Sequence, residues 1–305
     1  MFIVNNRKFF FLLSAVLVLG SVISMFVFGL KLGIDFKGGS LLEVSYLSLG
    51  VETMTARPPL ESIKSRLDSL GLGTYILTPS GDNNYLLKTR ELNPTEKVIV
   101  MSAFQGDPNN VAKEERFNSI GPVVGSQLKN KALVAIGVVI LCIVLFITFA
   151  FRKVSFPVAS WKYGLATIVA LVHDVIIPTG VFVVWTRVYG GEIDLLFVTA
   201  LLAILGYSVH DTIVVFDRVR ENLREAQGKS KETFIETVGK SVTQTFGRSI
   251  NTSLTIFLSL VALYFIGGES TKDFAFVLLV GVIAGTYSSI FVASPLLVTL
   301  EKLQK

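Results

Sequence analysis

The stretch Gly206-Tyr-Ser-Val-His-Asp-Thr-Ile-Val-Val-Phe-Asp-Arg-Val-Arg-Glu-Asn222 begins inside an apolar run and ends among charged residues. The residues before it, Leu195 to Leu205, are almost wholly apolar. Asp211 therefore falls within a predicted membrane span, where a carboxylate near a helix centre costs about 2.5–3.5 kcal/mol of insertion free energy. Because carboxylates kept inside membranes usually mark ion or proton pathways, Asp211 is the first candidate functional residue.

The composition of the whole chain is that of a polytopic membrane protein. Of its 305 residues 51% are hydrophobic, the mean hydropathy is +0.62, and several apolar runs reach the length of a membrane span. The net charge of +5 is better explained by basic loops than by nucleic-acid binding. A single cysteine excludes an intrachain disulfide, and two histidines exclude a His-rich metal site. With no zinc spacing, P-loop or nucleophile elbow, the sequence predicts no enzyme activity, cofactor or metal.

Six apolar runs predict six membrane spans. The first, Phe9–Leu30, follows Arg7 and Lys8. We interpret it as a retained helix rather than a cleaved signal peptide, because it is longer than a typical signal-peptide core and no cleavage pattern closes it. The other five are predicted near Lys131–Phe151, Tyr163–Trp185, Leu195–Phe216, Ser249–Ile266 and Phe274–Thr299.

The loops between these spans differ in charge, which predicts their sidedness. The two short loops after spans 3 and 5 carry few basic residues, Arg187 and Lys272. The positive-inside rule then places both termini and the loop 217–248 in the cytoplasm. Mixed charges at helical spacing from Asp217 to Thr237 favour an amphipathic helix at the membrane surface. The basic residues on the predicted cytoplasmic side are Arg152, Lys153, Lys162, Arg218, Arg220, Arg224, Lys229, Lys231, Lys240, Arg248, Lys302 and Lys305.

Residues 31–130 predict a polar domain between the first span, in residues 1–30, and the remaining membrane region, 131–305. Strand patterns alternate with two helical patterns, one after Pro58-Pro59 and one from Asn93-Pro94. The order β-α-β-β-α-β is the ferredoxin-like arrangement. The strand patterns are Leu41–Tyr46, Thr74–Thr78, Tyr85–Thr89 and Lys113–Ile120.

Two near-copies of one short motif lie on the third and fourth spans: Val172-His-Asp-Val-Ile176 and Val209-His-Asp-Thr-Ile213. Asp211, 16 residues after Leu195, lies about 24 Å into a core of roughly 30 Å. We interpret it as an ion-binding or protonatable carboxylate. For Asp174, ion binding and a structural hydrogen bond remain equally open. For His173 and His210 a packed or hydrogen-bonded ring is favoured.

The fifth span offers a partner for Asp211. Arg248, Thr252, Thr255 and Ser259 are spaced i, i+4, i+7 and i+11, which predicts one polar face. Arg248 either approaches Asp211 and leaves it in a cycle, or anchors the span by snorkelling. The Ser/Thr stripe is predicted to be a helix-packing face rather than a water wire.

Glycines at a spacing of four predict close helix packing in the sixth span. Gly281 and Gly285 form this small-xxx-small pair. Gly206 is a further candidate for a close approach between helices.

Four motifs together carry a family resemblance: Gly33-Ile-Asp-Phe-Lys-Gly-Gly39, Ile120–Gly125, Gly206–Asn222 and Thr243–Ser249. With them the chain resembles, end to end, the SecD/SecF family of bacterial protein export, within the RND transporter superfamily. The resemblance implies a six-helix RND-type half-bundle with an α+β periplasmic domain after the first span. It also places the motif loop, Gly33, Asp35, Gly38 and Gly39, at the junction of that span with the domain.

The same resemblance implies function, partners and location. A SecD partner, the SecYEG translocon and an unfolded preprotein are expected, in the lipid of the bacterial inner membrane, with a proton or sodium gradient driving preprotein release on the periplasmic side. The family's ion-passage residues match Asp211 and Arg248. His210 departs from the common pattern and is expected to shift the ion preference or pH response.

Two alternatives to an export subunit stay open. Half of an RND-type small-molecule or lipid transporter would share the spans, but usually needs both halves in one chain and larger external domains. A non-conducting scaffold of the translocon does not need Asp174 and Asp211 buried.

Overall fold

The computed structural model describes residues 2–48, 54, 56–105, 110–152, 158–226 and 232–302. Its contacts divide the chain into two units: Leu32–Leu133, and Met1–Lys31 together with Val134–Lys305. Within the described residues, six helical segments are long and apolar enough to cross a membrane, as the hydropathy pattern predicts. The predicted basic loop residues Lys153, Lys229, Lys231 and Lys305 lie outside the described part of the chain.

The unit Leu32–Leu133 is a four-stranded antiparallel sheet with two main helices. The spatial strand order is β2-β3-β1-β4, in which every neighbouring pair is antiparallel. This order and the β-α-β-β-α-β sequence confirm the predicted ferredoxin-like fold. The elements are α3 Ile34–Lys37, β1 Gly39–Ser48, α4 Leu60–Asp68, β2 Ile76–Ser80, β3 Asn84–Thr89, α5 Pro94–Phe104 and β4 Asn110–Ile120.

Alternation along the central strand builds the core of this unit. Leu42, Val44 and Tyr46 of β1 are buried on one face of the sheet, as the period of a strand requires. They join Ile63 of α4 and Phe104 of α5 in one cluster. Helix α5 begins where the sequence indicates, because Asn93 and Glu96 form a reciprocal capping box.

The membrane helices run further than the predicted apolar spans. Helix α8 continues through the charged residues after Phe216, and α9 begins well before Ser249. The predicted separate surface helix over 217–237 is therefore wrong in the described residues: its two ends extend α8 and α9. Mixed charges at helical spacing fit both arrangements, which explains the error. The helices are α1 Phe2–Asn5, α2 Arg7–Phe28, α6 Pro122–Ala150, α7 Ser160–Tyr189, α8 Leu195–Ala226, α9 Phe234–Ile266, α10 Glu269–Tyr287 and α11 Ser294–Lys302.

Small residues let the membrane helices approach closely. A Cβ on Gly281 would lie 2.1 Å from a side-chain carbon of Ile204, and one on Gly285 would lie 3.1 Å from the Cβ of Ser208. The predicted close packing of the sixth span is thus confirmed, and its partner is α8. Gly206, by contrast, has no atom of the described residues within 4 Å of the position a Cβ would take, so it makes no close approach to another described helix.

The sixth span is not a continuous α-helix. A six-residue π-helical segment, Ser288–Ala293, separates α10 from α11. Just after it, the hydroxyl of Ser294, the first residue of α11, donates to the carbonyl of Ser289, five residues earlier, at 2.8 Å. π-Helical segments occur frequently at functional sites, and this one supplies two side chains to the candidate site.

Candidate ion site in the membrane helices

Asp174 lies at the meeting point of α7, α8 and the π-helical segment. Its side chain is fully buried. Oδ2 accepts hydrogen bonds from the hydroxyls of Ser208 and Ser288, the latter at 2.7 Å. Oδ1 lies 2.8 Å from Nδ1 of His173. Both carboxylate oxygens are therefore engaged, so this carboxylate links three helical segments.

The ring of His173 is packed, as the sequence predicts. It is 4% exposed and stacks on the ring of Tyr287 with centroids 5.9 Å apart. The Tyr287 hydroxyl donates to the carbonyl of Phe10 at 2.9 Å, which ties the stack to α2. Nε2 of His173 is buried and has no hydrogen-bond partner among the described residues.

Asp211 occupies the interface of α8 and α9. It is 7% exposed, and its Oδ1 accepts a hydrogen bond of 2.5 Å from the hydroxyl of Ser249. Its Oδ2 is buried and has no hydrogen-bond partner within the part of the chain that the structure describes. The carboxylate thus keeps unused hydrogen-bonding capacity in a site shielded from solvent.

A line of hydroxyl groups continues from Asp211 along α9. The Ser253 hydroxyl donates to the carbonyl of Ser249 at 2.7 Å. It also accepts a hydrogen bond of 2.6 Å from Tyr207 and lies 2.6 Å from Thr286 Oγ1. The Ser249 carbonyl joins this cluster of hydroxyls to the residue that bonds Asp211. The cluster lies on the side of Asp211 where α9 runs towards Ile266.

The π-helical segment contacts the surroundings of both carboxylates through consecutive residues. Ser288 donates to Asp174. Ser289 lies 2.8 Å, Oγ to Oγ1, from Thr212, the residue that follows Asp211. The segment therefore links the surroundings of the two carboxylates through adjacent side chains.

The predicted partner stripe on α9 does not face Asp211. Thr252, Thr255 and Ser259 are exposed, and the hydroxyls of Thr255 and Ser259 donate to carbonyls of their own helix. Arg248 is also exposed and forms no ion pair with Asp211 within 4.0 Å among the described residues. Since each residue turns the helix by about 100°, the face that meets α8 begins one position later, at Ser249.

His210 also differs from its prediction. Its ring is exposed rather than packed against a neighbouring helix of this chain. It shares the open face of α8 with Gly206 and Asp217. The sequence signals for the partners of the two aspartates were Ser249 and Ser253, spaced i and i+4 on α9, and the adjacent Ser288 and Ser289 in the sixth span.

The motif loop of residues 33–39 lies in the sheet unit and is shaped by its glycines. Gly38 has φ +82°, and a Cβ there would lie 2.7 Å from Pro122 at the start of α6. Gly39 has φ +141°, and its Cβ would lie 2.6 Å from the carbonyl oxygen of Thr89. Gly33 precedes the first turn of α3, which contains Asp35. The loop is thus a joint of close backbone contacts.

Comparisons with known proteins agree with this architecture. The family model "Protein export membrane protein SecD/SecF, C-terminal" matches residues 101–303, and the model of the SecD/SecF GG motif matches residues 23–46. The chain is 40% identical to the protein translocase subunit SecF of Thermobaculum terrenum, over 98% of this chain and 93% of that protein. It is 37% identical to the SecF subunit of Anaerolinea thermophila, over 98% and 94%.

Two solved structures are also similar. The crystal structure of SecDF, a translocon-associated membrane protein from Thermus thermophilus, superposes with a TM-score of 0.80 at 30% identity. SecDF in its super-membrane-facing form gives a TM-score of 0.65 at the same identity. In both comparisons 98% of this chain is covered, and it spans 38% of the length of the SecDF chain.

Proposed function

We propose that this chain, which belongs to the family of SecD/SecF protein export membrane proteins, is a bacterial export subunit in which ion flow drives preprotein movement. Its relatives named as SecF translocase subunits support the export role. Because the chain spans 38% of the SecDF chain that it resembles, a SecD-type partner supplies the remaining part. In this proposal the complex works with the SecYEG channel in the inner membrane.

The topology follows from the distribution of basic residues. Both termini and the charged ends of α8 and α9 face the cytoplasm, and residues 31–130 form the periplasmic domain between membrane regions 1–30 and 131–305. Protons, or sodium ions, then move down their gradient from the periplasmic ends of the spans to Asp211. The domain receives the released energy and acts on the emerging preprotein.

The observation that carries the ion-coupling proposal is the unused oxygen of Asp211. A buried carboxylate within a membrane span is costly unless it is used, and Oδ2 has no hydrogen-bond partner among the described residues. It is therefore free to accept a proton or coordinate a sodium ion. The hydroxyl groups of Ser253, Tyr207 and Thr286 form a polar cluster next to Ser249, the residue that donates to the other oxygen of Asp211.

Asp174 has a different task in this proposal. Its oxygens are already held by Ser208, Ser288 and His173, so it positions the π-helical segment rather than exchanging the ion. Ion binding at Asp211 acts on Ser289 through Thr212, and Ser288 passes the change to Asp174. The π-helical segment is then the two-state element that the ion biases.

The energy of one ion is sufficient for such a step. One elementary charge moving through 100 mV provides about 2.3 kcal/mol. That shifts a two-state equilibrium by a factor of about 50. Arg248, exposed beside Ser249, provides the positive charge that approaches Asp211 when the ion leaves.

The test is ion flux through the chain reconstituted with its SecD-type partner in proteoliposomes, with proton and sodium gradients imposed separately. Asp211→Asn removes the charge at the proposed site, and we expect at least a ten-fold loss of flux and of gradient-stimulated export. Asp217→Asn is the matched control, since Asp217 lies on the same helix but is exposed, and it should keep full flux. Arg248→Met should lower flux without changing which ion is carried.

Normal flux and export in Asp211→Asn would overturn the proposal. Asp211 would then be a structural residue, and the scaffold alternative would be favoured. Loss of flux in Asp217→Asn to the same extent would show that net charge on α8, rather than the buried site, controls conduction.

A further inference from the structure

A cavity of about 410 Å³ lies between α2, α7 and the last part of the sixth span. Its walls are almost entirely apolar and include Phe11 and Ala15 of α2, Val169 and His173 of α7, and Leu296 of α11. Ala15 and Val169 are exposed. Since these helices cross the membrane, the cavity opens towards lipid rather than water.

Helices α2 and α7 pack closely at a point beyond the cavity lining. Near the far end, the Ser24 hydroxyl donates to the carbonyl of Gly180 at 3.0 Å, and the backbone of Ser21 leaves no room for a Cβ on Gly180. Towards the start of α2, the rings of Phe10 and Phe291 lie against each other with centroids 4.5 Å apart and planes tilted by 35°. The cavity lining on α2, from Phe11 to Val18, lies between this ring pair and the close contact at Gly180.

The depth of the cavity fits one leaflet. Its lining on α2 runs from Phe11 to Val18, which corresponds to about 10 Å of helix. Half of the hydrocarbon core is about 15 Å. An acyl chain entering from the leaflet at the start of α2 therefore ends near the ring of His173.

The starts of α2 and α7, one to two turns before the cavity lining, carry groups that suit an anionic headgroup. Arg7 and Lys8 lie about one turn before Phe11 on the same face of α2, and Lys8 is exposed. Trp161 lies two turns before Val169 on α7, on the matching face, and is 58% exposed. Basic residues and tryptophan at a helix start are typical of the headgroup region, and basic clusters there attract anionic lipids.

We propose that this cavity is a binding site for an anionic phospholipid. One acyl chain fills the gap between Phe11, Ala15 and Val169 and ends against His173. The phosphate lies between Arg7 and Lys8, and Trp161 borders the glycerol region. This inference does not depend on ion flow through Asp211, because it rests on the shape and charge of a different surface.

Fluorescence quenching tests the proposal directly, because the chain has only two tryptophans. Full-length protein carrying Trp185→Phe retains Trp161 as its single fluorophore. It is reconstituted in phosphatidylcholine vesicles that contain one-fifth of brominated phosphatidylglycerol or, in parallel, brominated phosphatidylcholine. We expect the anionic lipid to quench Trp161 more strongly, which reports its enrichment at the site.

Two variants with matched controls separate the cavity from the charge. Ala15→Phe fills the cavity and should abolish the preference for the anionic lipid. Val16→Phe, on the neighbouring exposed position outside the lining, should leave the preference unchanged. Lys8→Gln should weaken the preference about five-fold, the factor expected for one basic side chain at a membrane surface. Arg187→Gln, at the other end of α7, should have no effect.

Equal quenching by the two brominated lipids would overturn the proposal, as would an Ala15→Phe variant that keeps the preference. Thermal unfolding of each variant shows whether it is folded. Native mass spectrometry of the protein with Trp185 intact, in unbrominated lipid, provides an independent count of retained anionic lipid. Retention of a protein instead of lipid at this surface, found by cross-linking from position 15, would assign the cavity to a partner helix.

Discussion

The two His-Asp motifs of this chain have almost the same sequence but lie in opposite environments. In Val172–Ile176 the histidine is buried and bonded to its own aspartate, whose other oxygen accepts two serine hydroxyls. In Val209–Ile213 the histidine is exposed, and the aspartate has one hydrogen bond from Ser249. The first carboxylate is fully satisfied, and the second retains a buried oxygen without a partner among the described residues.

The difference comes from what packs around each motif. Helix α7 lies between α2, α8 and the sixth span, so both residues of its motif find partners. Helix α8 presents Asp211 to α9 but leaves His210 on its open face. Buried polar groups are normally satisfied, and those that are not require an explanation. We infer that the site in which both carboxylate oxygens are engaged stabilises the fold, and that the site in which one carboxylate oxygen has no partner serves ion exchange.

The largest expected effect is on stability, from truncation of Asp174. Asp174→Leu leaves the Ser208 hydroxyl and Nδ1 of His173 without their partner in a buried position. Such losses cost about 3 kcal/mol or more of unfolding free energy. Asp211→Leu removes one hydrogen bond and an unsatisfied oxygen, and should cost less than about 1 kcal/mol. Denaturation in detergent micelles measures both.

Conservative substitutions at the same two positions should affect ion flux in the reverse order, with the larger loss at Asp211. Asp174→Asn keeps an acceptor for the serines and should retain most of the flux, whereas Asp211→Asn should not. If both positions changed stability equally, or if Asp174→Asn abolished flux in a stably folded protein, the division into a structural and an exchanging carboxylate would be wrong.

Substitutions at two glycines test the packed and the open face of α8. Gly281 of α10 contacts the packed face, and Gly206 lies on the open face. Gly281→Ala places a methyl group 2.1 Å from Ile204 on the packed face. Overpacking of this kind costs about 1–3 kcal/mol. Gly206→Ala lies on the open face with free space around it, and should stabilise the isolated chain by up to about 1 kcal/mol through helix propensity. Unfolding temperatures of both variants decide this, and a cost at Gly206 in the isolated chain would contradict the open face.

A smaller effect is expected for the histidines. His173→Phe keeps the stack on Tyr287 but removes the hydrogen bond to Asp174, with an expected loss of about 1–2 kcal/mol. His210→Phe changes an exposed ring and should alter the unfolding free energy by less than about 0.5 kcal/mol. Rescue by His173→Asn, which restores a side-chain donor, would distinguish the hydrogen bond from ring packing. Equal losses at the two positions would show that His210 is packed in solution.

Some of this arrangement is available from the sequence, and some is not. Hydropathy locates the spans and puts Asp174 and Asp211 inside them, and turn residues and alternation give the sheet unit. The rotation of α9 about its axis could not be predicted. Whether the face containing Arg248 or the face containing Ser249 meets α8 depends on how the two helices pack. A polar stripe shows that a helix has a polar side, but it does not show what that side meets.

The π-helical segment and the difference between the two histidines were beyond prediction for related reasons. Nothing in the letters of Ser288–Ala293 distinguishes a π-helical turn from an α-helical one, because the extra residue is accommodated by tertiary contacts of Ser288 and Ser289. His173 and His210 occupy equivalent positions in near-identical motifs. Only the number of helices packed around each determines whether the ring is buried.

A carboxylate outside the membrane supplies the smallest test of the comparison. Glu115 on β4 accepts a hydrogen bond of 2.8 Å from Ser45 on β1, as Asp211 does from Ser249, but it faces water. This hydrogen bond, and secondarily Lys113, lowers the pKa of the Glu115 carboxyl. Because the folded pKa is lowered, the contribution to stability is present above the unfolded pKa and is lost as pH falls through the folded one.

Ser45→Ala should therefore raise the pKa of Glu115 towards its ordinary value and remove part of this acid dependence. The loss of stability at pH 7 should stay below about 1 kcal/mol, since water replaces the serine at a partly exposed carboxylate. Carboxyl chemical shifts in an NMR titration of the full chain measure the pKa, and Ser102→Ala, whose hydroxyl bonds only a helix carbonyl, is the control. An unchanged pKa in Ser45→Ala would mean that Lys113 sets it. The Ser249 hydrogen bond would then be no evidence for the protonation state of Asp211. If Ser45 does not stabilise the charged form of Glu115 in water, there is no reason to assign that effect to Ser249 within the membrane.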